Sequence, residues 1–483
     1  MITYILISIL LILFINKYMF KPKGFPPGPG RIPLFGSLLF IPLIPGVFSM
    51  GADWFIKRYG KLVGLFLGEY PAVILYDLNT AKELFSQDNA AGRPDSFVYK
   101  YRMLGQKLGL LFNDGEAWKT QRRFVLKTLK DFGFGKKGLE GVLVEEADKI
   151  GDLFRSKQNE PFLVLNLFNV AILNVLWTIV ANHRYDLTDP NAQTLVKLIT
   201  DSIQVEGLRF LFAVPVSRHF APEWTGWNKQ QQVVGETQNL MRRIVEEHKE
   251  SYQEDNMRDF IDVYLREMKT GGSPDFNDEQ LIVNAMDLFS AGSETTATTL
   301  AWAVAFMILH PEVQKEVQEE LDREIGDRTP ALEDIARLPL TEATIMEIQR
   351  MGSIAPQAVP HRTLNEVKIN GYTIPKNTFV FSMLYHIMRD PEVWIEPERF
   401  NPRRFLSPEG KLVKHDHFVP FGVGKRQCLG ESLAKSELFI IFTRLIQQFT
   451  FTDSPDHPGP SPTPVPGFIM APKPFYARAV PRL

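Results

Sequence analysis

A single cysteine, Cys428, among 483 residues forbids an intramolecular disulfide, so the fold is not held by cross-links. The same scarcity excludes a four-ligand zinc site, because one thiol and 9 histidines without ligand spacing cannot supply the donors. Neither sign of charge is in surplus: 54 Lys and Arg face 56 Asp and Glu, a net charge of −2. That gives no field for a polyanion and excludes nucleic acid as a partner. Internal repeats and low-complexity linkers are missing too, so although length alone would suggest about three domains, nothing divides the chain. No G-x-G-x-x-G stands at a strand-to-helix turn, which excludes a Rossmann-type flavin or dinucleotide cradle.

What is present begins with a long apolar run. Met1 to Ile15 is almost continuously apolar and the stretch reaches Phe20 with only Asn16 and Lys17 interrupting, about 30 Å of helix. Lys17, Lys21 and Lys23 follow it and no cation precedes it, so the positive-inside rule puts the bulk of the chain in the cytosol. A cleaved signal peptide is the alternative, but the charged leader and small-x-small cleavage site it needs are missing. The expected organisation is a transmembrane anchor over 1–22, a stiff Pro/Gly-rich hinge over 23–36 containing Pro26-Pro27-Gly28-Pro29-Gly30, and one large domain over 37–483. With 45% hydrophobic residues that domain can bury an extensive core.

Short β-prone runs, Leu62 to Leu67 and Ala72 to Tyr76, flank Gly68-Glu69-Tyr70-Pro71 and predict a hairpin. Further strand-like pieces, Glu366 to Ile369, Tyr372 to Ile374 and Thr378 to Phe381, precede a helix-like Ser382 to Met388; the rest reads as mainly α. Asn277 with Gln280 resembles a capping box opening an apolar helix to Leu309, closed by Pro311. Its middle, Phe289-Ser290-Ala291-Gly292-Ser293-Glu294-Thr295-Thr296, is polar where burial of a carboxylate is costly. Either it is a set of back-bonded hydroxyls at a kink, or it is a working site.

Ten residues near the C-terminus, Phe421 to Gly430, fit F-x-x-G-x-R-x-C-x-G without a mismatch and centre on Cys428. Five fixed residues make a chance match about one in a few million starting points. Glu347 and Arg350, three apart on a predicted helix, are placed to make an ion pair. The same E-x-x-R spacing recurs at Glu206/Arg209 and Glu320/Arg323; order along the chain, ahead of Pro397-Glu398-Arg399-Phe400 and the cysteine loop, selects Glu347 and Arg350. Trp118 and Arg122 lie four apart on another predicted helix.

These motifs, in this order over essentially the whole chain, resemble the cytochrome P-450 superfamily of haem-thiolate monooxygenases, in its membrane-anchored microsomal branch of the animal, arthropod-like type. The resemblance implies a mainly α fold with a small β region, and haem b (iron protoporphyrin IX) with the Cys428 thiolate as axial ligand, a ligation that favours O–O cleavage and of which this family is the standing example. It implies haem contacts from Arg93, Trp118, Arg122, His361, Phe421, Gly424 and Arg426, with guanidinium groups suited to the propionates. Gly424 is expected to need a conformation closed to other residues, and Gly430 to let the next helix come close. Ala291 and Gly292 are expected to leave room for dioxygen while Glu294 and Thr295 relay protons. Glu347, Arg350 and Arg399 are implied as a buried structural triad, and Leu111, Phe112, Phe289, Ala291, Ala358 and Val359 as the substrate pocket.

Electrons are then expected from an NADPH-dependent flavoprotein reductase, with a cytochrome b-type donor as a second source, and Arg123, Lys127, Lys136, Lys137, Lys425 and Lys435 form a candidate docking face. The implied setting is the endoplasmic reticulum membrane with the catalytic domain facing the cytosol. The implied reaction is hydroxylation or epoxidation of a lipophilic small molecule by dioxygen. Terpenoid or steroid hormone precursors and xenobiotics all remain open as substrates, because pocket geometry is not set by spacing. Two other functions fit parts of the pattern: a peroxide-rearranging haem-thiolate isomerase or dehydratase, against which Glu294 and Thr295 stand, and a non-enzymatic haem sensor, which needs no electron donor.

Overall fold

The computed structural model describes residues 4, 19–42, 46, 48–133, 137–203, 211, 214–271 and 273–482. Nearly all of the apolar run expected as an anchor lies outside them. Among the described residues, no helix is long and apolar enough to cross a membrane.

The β region gathers near the start of the chain. Strands β1 (Leu62–Leu67) and β2 (Tyr70–Leu75) pair antiparallel from Leu62↔Leu75 to Leu67↔Tyr70, so the turn is the two residues Gly68-Glu69 rather than the four expected. Pro71 is tolerated because the second ladder of β2, parallel to β4 (Phe379–Ser382), begins only at Ala72↔Phe379. Strand β3 (His361–Arg362) completes the order β1-β2-β4-β3. Val367–Ile369 and Tyr372–Ile374 form a separate hairpin. The Pro/Gly segment is seated on this sheet: Gly64 N–H donates to Pro27 O at 2.7 Å, Phe25 packs on Phe66, and a Cβ on Gly28 would lie 2.0 Å from Gly64 O.

Helices make up most of the remainder. Those that position the site are α1 (Gly115–Asp131), α2 (Glu140–Ser156), α3 (Asn169–Ala181), α4 (Pro190–Ile203), α5 (Trp227–Ser251), α6 (Asp278–Leu309), α7 (Pro339–Gly352) and α8 (Glu431–Gln448). Asn277 Oδ1 caps α6 by accepting from Gln280 N–H at 2.9 Å. The reciprocal half of the expected capping box does not form, since the Gln280 amide donates instead to Asn284. An apolar surface on every side makes α6 a core helix, and its 32 residues span about 48 Å. The largest core cluster gathers α2, α3, α6 and α8 around Trp177, Phe289, Trp302 and Phe439, all buried.

Candidate functional site

The cysteine loop is shaped by backbone geometry. Cys428 N–H donates to Phe421 O at 3.0 Å, and Gln427 N–H to Gly424 O at 3.1 Å. Gly424 takes φ +81°, and a Cβ there would stand 2.5 Å from the Phe85 carbonyl oxygen, so only glycine fits. Gly430 differs: its φ is −86° and a Cβ would meet nothing nearer than the Cys428 sulfur at 3.9 Å, so protein packing does not demand glycine there. The sulfur is open to accessible surface, yet surrounding protein pushes its thiol pKa up. Backbone N–H groups of Gly430 and Glu431, at the start of α8, oppose that shift together with Arg122.

Accessible surface also opens midway along α6, where Ala291 is exposed and Thr295 half-buried, although the helix is otherwise almost wholly enclosed. Thr295 Oγ1 donates to Ala291 O at 2.8 Å. Gly292 beside it is half-buried, and a Cβ on it would lie 2.4 Å from Leu176 Cδ2, so its smallness also serves the contact with α3. Glu294 is buried, its Oε2 accepting from Asn169 Nδ2 at 2.6 Å and Thr200 Oγ1 at 3.1 Å. Burial holds its carboxyl above the ordinary range despite these donors. A second carboxyl, Glu437 of α8, is more deeply enclosed: Oε2 accepts from Thr296 Oγ1 at 2.9 Å, Oε1 has no partner among the described residues, and burial pushes it up to about 8. The Thr296–Glu437 bond ties the helix carrying Thr295 to the helix that follows Cys428.

Cations converge beside the cysteine loop. Arg426 lies 3.4 Å over the Trp118 ring and donates through Nε to Ala91 O at 2.9 Å; Arg122 reaches Gln427 O at 2.7 Å; Arg93 donates to Leu111 O at 2.8 Å and Val359 O at 2.6 Å. Burial lowers all three guanidinium groups, Arg93 to about 9 and Arg426 to about 8, with Arg93 adding repulsion at Arg426. The carboxylate that offsets Arg93 and Arg426, Asp114, is already shared with Lys107 and Arg362. His361 is held neutral by burial and Arg93, accepts Phe85 against its ring at 3.8 Å and bonds Ala90 O through Nδ1. Trp118 Nε1 is buried without a partner among the described residues. Surplus buried positive charge with an orphan N–H donor is the donor set that a dianionic haem edge requires, so these residues fit the group.

Glu347 and Arg350 are both fully buried and bonded twice, Nε to Oε2 at 2.7 Å and Nη2 to Oε1 at 2.9 Å. The expected third member is wrong. Arg399 is exposed and pairs with Glu396 at 3.2 Å, offering the cluster only its backbone carbonyl. Arg404 takes the place, with Nε 3.1 Å from Glu347 Oε1. Asn401 caps the short turn of helix Pro402–Phe405, which carries Arg404 back under α7 while Arg399 points outward from the preceding turn.

Of the expected pocket residues, Leu111, Phe112 and Val359 pack in one cluster with Met103, Leu108 and Val283. Ala358 belongs to a different cluster, around Leu384 and Met388. Phe289 is a correction: it meets Trp177 edge-on inside the main core, because it lies roughly opposite Ala291 around the helix. Missed from the sequence was Asp287, which is buried and pins the loop bearing Leu111: Oδ2 accepts from Leu110 N–H at 2.6 Å and Leu111 N–H at 2.9 Å while Oδ1 pairs with Arg102. Asn169 and Glu437 were missed as well. For the two acids a signal existed, since Asp287 stands inside an apolar helical run and Glu437 directly before one, where a solvated carboxylate is costly.

A family model described as Cytochrome P450 matches residues 26–479. A farnesoate epoxidase of Bombyx mori is 34% identical, covering 100% of this chain and 99% of its own length. Cytochrome P450 2J3 of Rattus norvegicus is 37% identical over 89% of the chain and 86% of its own, and cytochrome P450 2D26 of the same species 36% identical over 99% and 97%. A chain matched almost end to end belongs to the cytochrome P450 family of haem-thiolate monooxygenases, with Cys428 as the axial ligand.

Proposed function

We propose that this enzyme epoxidises or hydroxylates an uncharged or anionic terpenoid of the farnesoate class. The observation that carries the substrate class is Asp287. As the buried acid bonded to the pocket loop, it is the natural partner for an amine substrate, yet both its oxygens are consumed by Leu110, Leu111 and Arg102. The end-to-end likeness to a farnesoate epoxidase points the same way. Haem bound at Cys428 supplies dioxygen activation. Around it, Arg93, Arg122, Arg426 and Trp118 hold the propionates, while His361, Phe421 and Gly424 shape the loop and its rim. Thr295 passes protons at the opening beside Ala291, Glu294 holds and supplies them from its buried site behind it, and Leu111, Phe112 and Val359 orient the apolar substrate. Glu347, Arg350 and Arg404 brace the loop from behind.

In the same reading electrons come from an NADPH-dependent flavoprotein reductase, aided by a cytochrome b-type donor. The exposed Arg123 and Lys127 on α1 support a docking face there, since Arg122 of that helix bonds the cysteine loop; Lys425 and Lys435 already pair with Asp88 and Glu431. Exposed Leu34, Leu39, Phe40, Val216, Phe220 and Trp224 support attachment to the endoplasmic reticulum membrane, with an anchor over 1–22 and the catalytic domain on the cytosolic side. The test is an optical titration of the haem protein, following the Soret shift with terpenoid esters and acids, steroids, fatty acids and amine drugs. Tight, selective response to the terpenoids is expected. An equal or stronger response to amines would overturn the substrate class, and lack of a Soret band would overturn the site.

A further inference from the structure

Glu294 does not look toward the opening beside Ala291 and Thr295. Glu294 lines a narrow cleft of about 20 Å³ on another face of α6, shared with Asn166, Asn169, Thr298, Lys473 and Phe475. Along α6 the lining positions Glu294, Ala297, Thr298 and Ala301 follow one helical stripe, about a quarter turn from Thr295. The cleft separates the start of α3 from the C-terminal segment Ala471–Phe475, and apart from Glu294 its one charged lining residue is Lys473, exposed at that segment. Asn169 and Thr200 both bond Oε2 of Glu294, and Thr298 donates to the same carboxyl, so three side chains from α3, α4 and α6 keep it turned to the cleft.

We propose that this cleft is the port through which solvent protons reach Glu294, and that Asn169 is the positioning residue that holds the carboxyl at its inner end. The inference rests on the reading of Glu294 and Thr295 as the proton-handling pair and adds where their protons enter. On loading, an O–H bond of hydronium in the cleft breaks and a carboxyl O–H forms on Glu294, leaving water. On unloading, that proton passes to a hydrogen-bonded acceptor on the Thr295 side and the carboxylate is restored; no electron moves. Burial supports a carboxyl that holds its proton between the two steps, and the Asn169 and Thr200 bonds must break for the side chain to turn inward.

Two variants separate the port from the positioning. Ala471→Leu narrows the cleft without touching a partner of Glu294; Asn169→Leu keeps the volume and removes the donor. The first readout needs no turnover: on the resting haem protein, the infrared band of the protonated Glu294 carboxyl, identified by subtracting Glu294→Gln, is followed after mixing into D2O and across pH. Ala471→Leu should slow deuterium exchange and leave the titration in place. Asn169→Leu should raise the titration midpoint, because a donor to the carboxylate is lost. The second readout is product formed per NADPH consumed, divided by product formed with hydrogen peroxide, which brings its oxygen with the protons already attached. That ratio should fall about tenfold in Asn169→Leu and fall in Ala471→Leu. Exchange and ratio both unchanged in Ala471→Leu would overturn the port, and an unmoved titration in Asn169→Leu would overturn the positioning role. If the wild-type protein forms no product from a farnesoate ester with either NADPH and dioxygen or hydrogen peroxide, it is the proposed substrate that fails, independently of the infrared result.

Discussion

Glu437 makes the most quantitative prediction. Its carboxyl is fully enclosed between α6 and α8, with a single donor, Thr296 Oγ1, and no cation among the described residues. Burial lifts it from 4.5 to about 8, so the folded protein keeps it protonated where the unfolded chain ionises it. For a carboxyl raised in this way the sign is unfavourable with rising pH: the interaction is undiminished below 4.5 and stability is lost progressively up to about 8. At about 1.36 kcal/mol per unit of differential protonation, the loss between about pH 5.5 and pH 8 is about 3 kcal/mol. Glu437→Gln keeps the volume and the acceptor for Thr296 but cannot ionise. Denaturant unfolding of the haem protein, followed by circular dichroism for wild type and variant at both pH values, isolates this one group, because every other titration cancels in the difference. Glu437→Gln should gain about 3 kcal/mol on wild type as the pH rises across that interval. A wild-type-minus-variant difference that is flat with pH would refute the reasoning.

Three further substitutions test other parts of the site. Arg404→Leu strips one partner from the buried Glu347 carboxylate and should cost about 3 kcal/mol or more, whereas Arg399→Leu, at an exposed ion pair, should change the unfolding midpoint by less than about 0.5 kcal/mol; equal effects would restore Arg399 to the triad. Gly422→Ala and Gly424→Ala both place a side chain at positive φ, costing about 1–2 kcal/mol, but only position 424 also drives a Cβ into the Phe85 carbonyl, so its loss of bound haem, read from the Soret absorbance, should be clearly the greater. Asp287→Ala orphans two backbone N–H groups and Arg102; substrate affinity in the Soret titration should weaken about tenfold or more while Asp287→Asn, which retains an acceptor, loses less.

What the sequence disclosed and what it withheld divide along the range of the interaction. Local grammar was readable: the Asn277 cap and Pro311 stop bound the long helix, the Gly-rich spacing marked the cysteine loop, and Glu347 and Arg350 met because i and i+3 share a helix face. The loop's chemistry was readable for the same reason, since its amides, its left-handed glycine and its thiolate lie within ten residues. Contacts between distant segments were not. Arg399 and Arg404 are indistinguishable as text, and only the turn capped by Asn401 decides which returns to Glu347. Asn169 meets Glu294 across 125 residues and Thr296 meets Glu437 across 141. Yet Asp287, Glu294 and Glu437 share a pattern: an acid on a helix that is otherwise rich in buried apolar residues must be neutralised by protons, cations or amides, because nothing else makes its burial tolerable. Here all three solutions occur. Asp287 takes amides and a cation and serves as a clamp; Glu437 is pushed up by burial and accepts from Thr296; Glu294 takes a few neutral donors while burial raises its carboxyl above the ordinary range. Of the three, Glu294 lines a cleft on the helix that carries Thr295 and is held there by neutral donors rather than by an ion pair, and that is the physical reason to assign proton traffic to Glu294 rather than to either of its buried neighbours.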